Sequence, residues 1–183
     1  MIFTDKKAFS VKLEPFESQS KVKTRKSYRN PLPHHQLGES FVIDFTNYYN
    51  LYYTGPLYMG TSYEEVHVIY DTGSDWLVVE TQACSSCTGV YDTTTSTAYE
   101  AISNSDDTHS YGDGTTLYGS QAFDTVCLSS NSSVTSCATD FVWFNVDSFA
   151  SGAGLGEDED GILGLSSGQD SSHGPLFIEF LYD

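Results

Sequence analysis

The stretch VIYDTGSDWLVVE, residues 68–80, sets a carboxylate and a glycine turn between two apolar runs rich in β-branched side chains. Such runs read as strands, and Gly73 marks the turn between them. Asp71 at the end of the first strand has two readings. It bonds its own turn amides and does nothing more, as aspartates often do in turns, or it is a carboxylate placed for chemistry. The surrounding sequence has to decide between them.

Working outward, short alternating or apolar runs recur on both sides: FVIDF (41–45), YNLYYTGPLYMG (49–60), EVHVIYDTG (65–73), WLVVET (76–81), HSYGDGTTLYGSQAFDTVCL (109–128), DFVWFNV (140–146) and DGILGL (160–165). Clusters of Gly, Asn, Asp and Ser separate them. This spacing predicts an all-β sandwich or barrel. Brief helices are expected only near 92–97 and from Pro175, where Leu176, Phe177, Phe180 and Leu181 share a helical face. With 183 residues, 39% of them hydrophobic, the chain can bury one sizeable core. It has no apolar run of membrane-spanning length, and its first residues, MIFTDKKAFS, lack the apolar stretch of a signal peptide.

Charge is divided sharply along the chain. All eight Lys and Arg fall within residues 1–29, whereas residues 30–183 hold none and carry 22 of the 25 acidic groups. A body without one Lys or Arg repels phosphate, so nucleic-acid binding is a poor reading of it, and no membrane partner is expected. The arm at 1–37, with one short strand at Phe9–Leu13, is expected to dock on the body by complementary charge and to loosen as carboxylates protonate. The acidic loop 150–160 lacks the ligand spacing of a calcium-binding loop and reads as solvated; no metal or cofactor is expected.

The four cysteines form two local pairs. A single C-x-x-C, with no histidine at finger spacing and no βαβ context, argues against zinc and against a thioredoxin-type redox site. Two disulfides, Cys84–Cys87 and Cys127–Cys137, are the expected arrangement, because each pair is close in sequence and the second spans a hairpin loop. Asn131-Ser-Ser in that loop is a candidate glycosylation sequon.

Four motifs in this order resemble the pepsin-like aspartic proteases. YDTGSDWLVV (70–79) resembles the catalytic-aspartate motif, and YDTTTSTAYE (91–100) the aromatic-x-x-x-x-Ser-Thr segment. HSYGDG (109–114) is similar to the flap tip, and DGILGL (160–165) to the strand supporting the catalytic loop. The resemblance covers roughly residues 45–183, and the basic arm is similar to a prosegment. It implies an aspartic endopeptidase zymogen, with a prosegment at 1–37 and the N-terminal lobe of a two-lobed, acid-protease fold at 38–183. It also implies a secreted location or a digestive lumen.

Residue by residue, Asp71 would be a catalytic carboxylate. Thr72 would bond across the lobe interface, Gly73 permit the tight turn, and Ser74 donate to an outer carboxylate oxygen. Tyr111, with Gly112, Asp113 and Gly114, would form the flap over an extended peptide substrate. Val78 stands where the family places a Trp that bonds the flap Tyr, and Trp76 is read as core. His109 is read as an exposed loop residue. Only one D-T-G occurs, and the sequence ends within what the resemblance makes a first-lobe helix, so a C-terminal lobe bearing a second aspartate is expected. A non-catalytic peptide-binding protein on the same fold and a homodimer supplying both aspartates are the alternatives.

Overall fold

The computed structural model describes residues 43–49, 51–88, 91–130, 136–150, 155–156, 158–166 and 175–181. The arm at 1–37 and the sequon at Asn131 lie outside the described residues. In chain order the strands are β1 (Thr46–Tyr48), β2 (Tyr52–Met59), β3 (Glu64–Asp71), β4 (Leu77–Glu80), β5 (Glu100–Ala101), β6 (Asp107–Ser110), β7 (Thr116–Cys127), β8 (Cys137–Phe149) and β9 (Gly161–Gly164). One short helix, α1 (Phe177–Phe180), follows Pro175, as expected. A 3-10 turn at Thr93–Thr95 occupies the other expected helical position, its first turn capped by Asp92 Oδ1, which accepts the Thr94 N–H at 3.0 Å. Of the FVIDF run, Asp44 makes only an isolated bridge, and the first strand begins at Thr46 instead.

The strands neighbour one another in the order β1-β2-β3-β9-β4-β8-β7-β5, with β6 also on β7. Pairing of Tyr58 with Cys127 and of Met59 with Val126 joins β2 to β7 and closes the path between them into a ring. The all-β expectation therefore holds, and closure removes most exposed edges. The sheet is mixed: β9 runs parallel to β3 and β8 parallel to β4, while β9 is antiparallel to β4.

The unbroken apolar runs at WLVV and GILG follow from their central position. Leu77 and Val79 of β4 face one core, with Leu57, Met59, Trp143 and Phe177, while Trp76 and Val78 face a second, with Leu117, Phe144 and Ile162. Strands covered on both faces need apolar side chains at every position rather than at alternate ones. Helix α1 seals the first core, where Phe177 and Phe180 each meet the Phe141 ring edge-on at 5.4 and 5.3 Å.

Two disulfides link Cys84 to Cys87 and Cys127 to Cys137. The second joins residues directly opposite in the β7–β8 ladder, which is why so short a loop suits it. The YDTTTSTAYE segment folds around a buried acid. Asp124, at the start of the register shift between β7 and β8, accepts the Tyr91 hydroxyl at 2.7 Å and the Ser96 hydroxyl at 2.7 Å. Both the Tyr91 ring and the Asp124 carboxyl are buried. Tyr91→Phe leaves that carboxyl short of a donor in a site water cannot reach. It is expected to cost ~2 kcal/mol, read as a lowered denaturation midpoint with an unchanged denaturant slope.

The acidic loop departs from its solvated reading at its C-terminal end. Glu159 is buried and accepts the Tyr52 hydroxyl at 2.8 Å, and Asp160 Oδ2 accepts the His67 backbone N–H at 2.7 Å. Carboxylates whose lone pairs meet donors can leave water, and sequence distance hid these donors.

Candidate active site

Asp71 ends β3, and the turn that follows serves its carboxylate. Oδ1 accepts the Gly73 backbone N–H at 2.9 Å, and Oδ2 accepts the Ser74 hydroxyl at 2.6 Å. Each oxygen thus has a donor from within the D-T-G-S tetrapeptide, and the charge is fixed in direction while remaining half-exposed. Thr72 and Gly73 are exposed at the tip of the turn.

β9 holds this turn from below. It threads between β3 and β4, with Asp71 opposite Gly164 and Leu77 opposite Leu163. Beyond the ladder, Leu165 N–H donates to the Asp71 carbonyl at 2.7 Å, Gly164 N–H to the Trp76 carbonyl at 2.9 Å, and Ser166 N–H to the Ser74 carbonyl at 2.9 Å. Three consecutive amides of DGILGLS therefore clamp both sides of the acid turn. Gly164 is required by this closeness, because a Cβ there would lie 2.5–2.7 Å from backbone atoms of Asp75. Backbone cannot yield as a side chain can. Gly164→Ala is expected to destabilise the lobe by ~2 kcal/mol through overpacking, seen as a lowered melting temperature.

The hairpin of β6 and β7 brings Tyr111 within range of the charge on the acid turn. Its four-residue ladder runs from Asp107–Gly119 to Ser110–Thr116. At the tip, Tyr111 N–H donates to the Thr115 carbonyl at 2.8 Å, Gly114 N–H to the Tyr111 carbonyl at 3.0 Å, and Thr115 N–H to Asp113 Oδ1 at 2.8 Å. Gly114 adopts φ +95°, a conformation that favours glycine. Gly112, Asp113 and Gly114 are exposed, and Tyr111 packs inward against the second core. Burial raises the Tyr111 phenol above its ordinary range, and the negative charge of Asp71, then Asp75 and Asp113, raises it further. The ring sits in the field of the D-T-G carboxylate as the neutral phenol.

The sequence reading thus located Asp71, Gly73, Ser74 and Tyr111 in one constellation. It misplaced His109, which lies on β6 half-buried, its ring 4.4 Å from that of Phe144 and 5.3 Å from that of Trp76. Alternation along β6 puts it on the inward face, a signal that the four-residue strand was too short to make plain. Val78 is wholly buried in the second core, and Trp76 is also core, as read; its indole N–H is buried without a hydrogen-bond partner among the described residues. Sequence reasoning also passed over Glu80. It ends β4 with no exposed surface, one oxygen accepting the Leu155 N–H at 2.9 Å and the other without a partner among the described residues. Burial, opposed by that bond and reinforced by Asp160 and Glu159, pushes its carboxyl up to about 7. Among the described residues, no group of three or more His, Cys, Asp or Glu is arranged to hold a metal.

A family model described as eukaryotic aspartyl protease matches residues 52–183, a span that takes in the acid turn, the hairpin and β9. No curated protein matches the sequence.

Proposed function

The chain belongs to the eukaryotic aspartyl protease family, and from that premise we propose that it supplies one of the two catalytic carboxylates of an aspartic endopeptidase made as a zymogen. The observation that carries this is the half-exposed Asp71 carboxylate, held at both oxygens by its own turn, with the Tyr111 phenol in its field. In peptidases of this kind two carboxyl groups share one proton, because like charges so close cannot both ionise. The ionised member takes a proton from water, and the water oxygen bonds to the scissile carbonyl carbon. The protonated member gives its proton to the carbonyl oxygen. As the diol collapses, one of its hydroxyls gives its proton to the ionised carboxylate, the C–N bond breaks, and the leaving nitrogen takes a proton from the other carboxyl, so the pair again holds one proton.

The sequence contains one D-T-G and no D-S-G, so the second carboxylate is assigned to a C-terminal lobe beyond this sequence. In this reading Thr72, exposed at the turn tip, bonds across the interface with it. The hairpin carries Tyr111 over an extended peptide with apolar side chains beside the scissile bond, and shields it from water. Residues 1–37, net +5 against a body of net −22, act as the covering prosegment and release when acid neutralises the body's carboxylates and charges His34 and His35. The two disulfides fit an oxidising compartment such as the secretory route or a digestive lumen.

The test is hydrolysis of extended peptides by the two-lobed protein between pH 3 and pH 7, with and without the arm. Turnover with an acidic optimum, suppressed by the arm at neutral pH, is the expected result. Equal neutral activity with and without residues 1–37 overturns the zymogen reading. The single D-T-G also fits a peptide-binding protein on the same fold, and an inactive two-lobed protein that still binds peptides would favour it.

A further inference from the structure

The β6–β7 hairpin brings two aromatic side chains toward the acid turn, and the peptidase reading uses only Tyr111. His109 is the other. It stands opposite Leu117 in the hairpin ladder, two residues before Tyr111, which follows the end of β6. Its ring meets Phe144 of β8 edge-on at 4.4 Å and lies tilted over Trp76 at 5.3 Å, while Trp76 and Phe144 meet each other at 6.2 Å. The three rings form a triangle whose corners belong to three elements: the hairpin, β8, and the segment joining the acid turn to β4.

The Trp76 corner is tied to the acid. The Trp76 carbonyl accepts Gly164 N–H, and the next residue, Leu165, donates to the Asp71 carbonyl. The His109 corner is tied to the hairpin's paired base. By contrast, the tip is open: a Cβ added at Gly112 or Gly114 meets nothing within 4 Å. The hairpin therefore has a gripped base and a free tip, with Tyr111 at the junction.

We propose that His109 is a positioning residue, its ring seated between Trp76 and Phe144 so that the hairpin keeps Tyr111 at a fixed height over the Asp71 turn while the tip opens and closes. Edge-on and tilted ring contacts are directional, so they fix an orientation that aliphatic packing would leave loose. The catalytic consequence rests on the peptidase reading; the mechanical one does not.

Hydrogen exchange on the intact protein separates the two. In His109→Ala, amides of residues 107–116 should exchange about tenfold faster, while those of β3 and β9 keep their wild-type protection. His109→Phe, which keeps a ring, should restore most of the difference. If His109→Ala does not fold, His109→Gln, similar in size but not aromatic, takes its place in the comparison. Unchanged exchange in the hairpin, or a uniform acceleration across the whole sheet, would overturn the proposal. In peptide hydrolysis by the two-lobed protein, His109→Ala should lower kcat/KM about tenfold, with His109→Phe recovering it. Loss of activity in both variants alike would overturn the role of the ring. Absence of turnover in the wild type would count against the peptidase reading alone, since exchange still decides the positioning.

Discussion

Asp71→Asn is expected to reduce kcat/KM for peptide hydrolysis by the two-lobed protein about 10³-fold or more, without unfolding the lobe. The substitution is nearly isosteric. Its carbonyl oxygen can still accept the Gly73 N–H, and the Ser74 hydroxyl, which donates to Oδ2 in the wild type, can rotate to accept from the new amide. The turn should keep its shape, because the three amides of Gly164, Leu165 and Ser166 that clamp it bind backbone carbonyls and not the side chain. What is lost is chemical. An amide neither takes a proton from water nor shares one with a second carboxyl, so the pair cannot divide into acid and base. The measurement is a peptide-cleavage rate alongside a melting curve. A variant that melts like the wild type but does not cleave is the predicted outcome, and one that cleaves at near wild-type rates removes Asp71 from the mechanism.

The second large effect concerns Glu80 and stability. Its carboxyl, ordinarily near 4.5, lies at about 7 in the folded lobe because it is buried with one oxygen lacking a partner among the described residues. The folded state therefore holds a proton that the unfolded state releases between those values. The contribution of Glu80 to stability is greatest below about pH 4.5 and is lost as pH rises to about 7, while Asp92 and Asp113, lowered by hydrogen bonds from Thr94 and Thr115, act in the opposite direction at lower pH. The loss amounts to at most ~3 kcal/mol, because each pH unit between the unfolded and folded values is worth about 1.36 kcal/mol. Asp147, also raised by burial and then by Asp106, acts in the same direction as Glu80. Glu80→Gln removes the ionisable group and should flatten this part of the profile, so that the variant gains on the wild type at pH 8 relative to pH 5. Chemical denaturation at those two pH values measures it. A difference between variant and wild type that is the same at both would show that Glu80 does not hold its proton. Such a carboxyl suits a protein that works in acid, since it penalises the fold only where the proposed enzyme is idle.

What could be read from the chain alone was local. The D-T-G-S turn was legible because the Gly73 and Ser74 donors to the Asp71 carboxylate lie within three residues of it, and the disulfides because their partners are three and ten residues apart. The hairpin at Tyr111 was legible from its glycines, one of which takes a positive φ. Contacts made across the ring of strands were hidden. Glu80 looks like the polar end of a strand until Leu155 and Asp160 close over it, and Glu159 looks solvated until Tyr52, more than a hundred residues earlier on β2, reaches it. His109 was misread for the same reason, since Phe144 and Trp76 come to it from β8 and from the approach to β4. The threading of β9 between β3 and β4 required the sheet order, although GILG, apolar at its centre and flanked by glycines, already suited a strand with backbone close on both sides.

The central claim is that Asp71 is half of a catalytic pair whose other half comes from a different lobe. Peptide hydrolysis by this 183-residue chain across acidic pH, compared with that of the two-lobed protein and accompanied by sedimentation, tests it most directly. The account predicts negligible turnover by the chain alone and acid-optimal turnover by the two-lobed protein. Robust turnover by a dimer of this chain would contradict it, because identical chains would then supply both carboxylates.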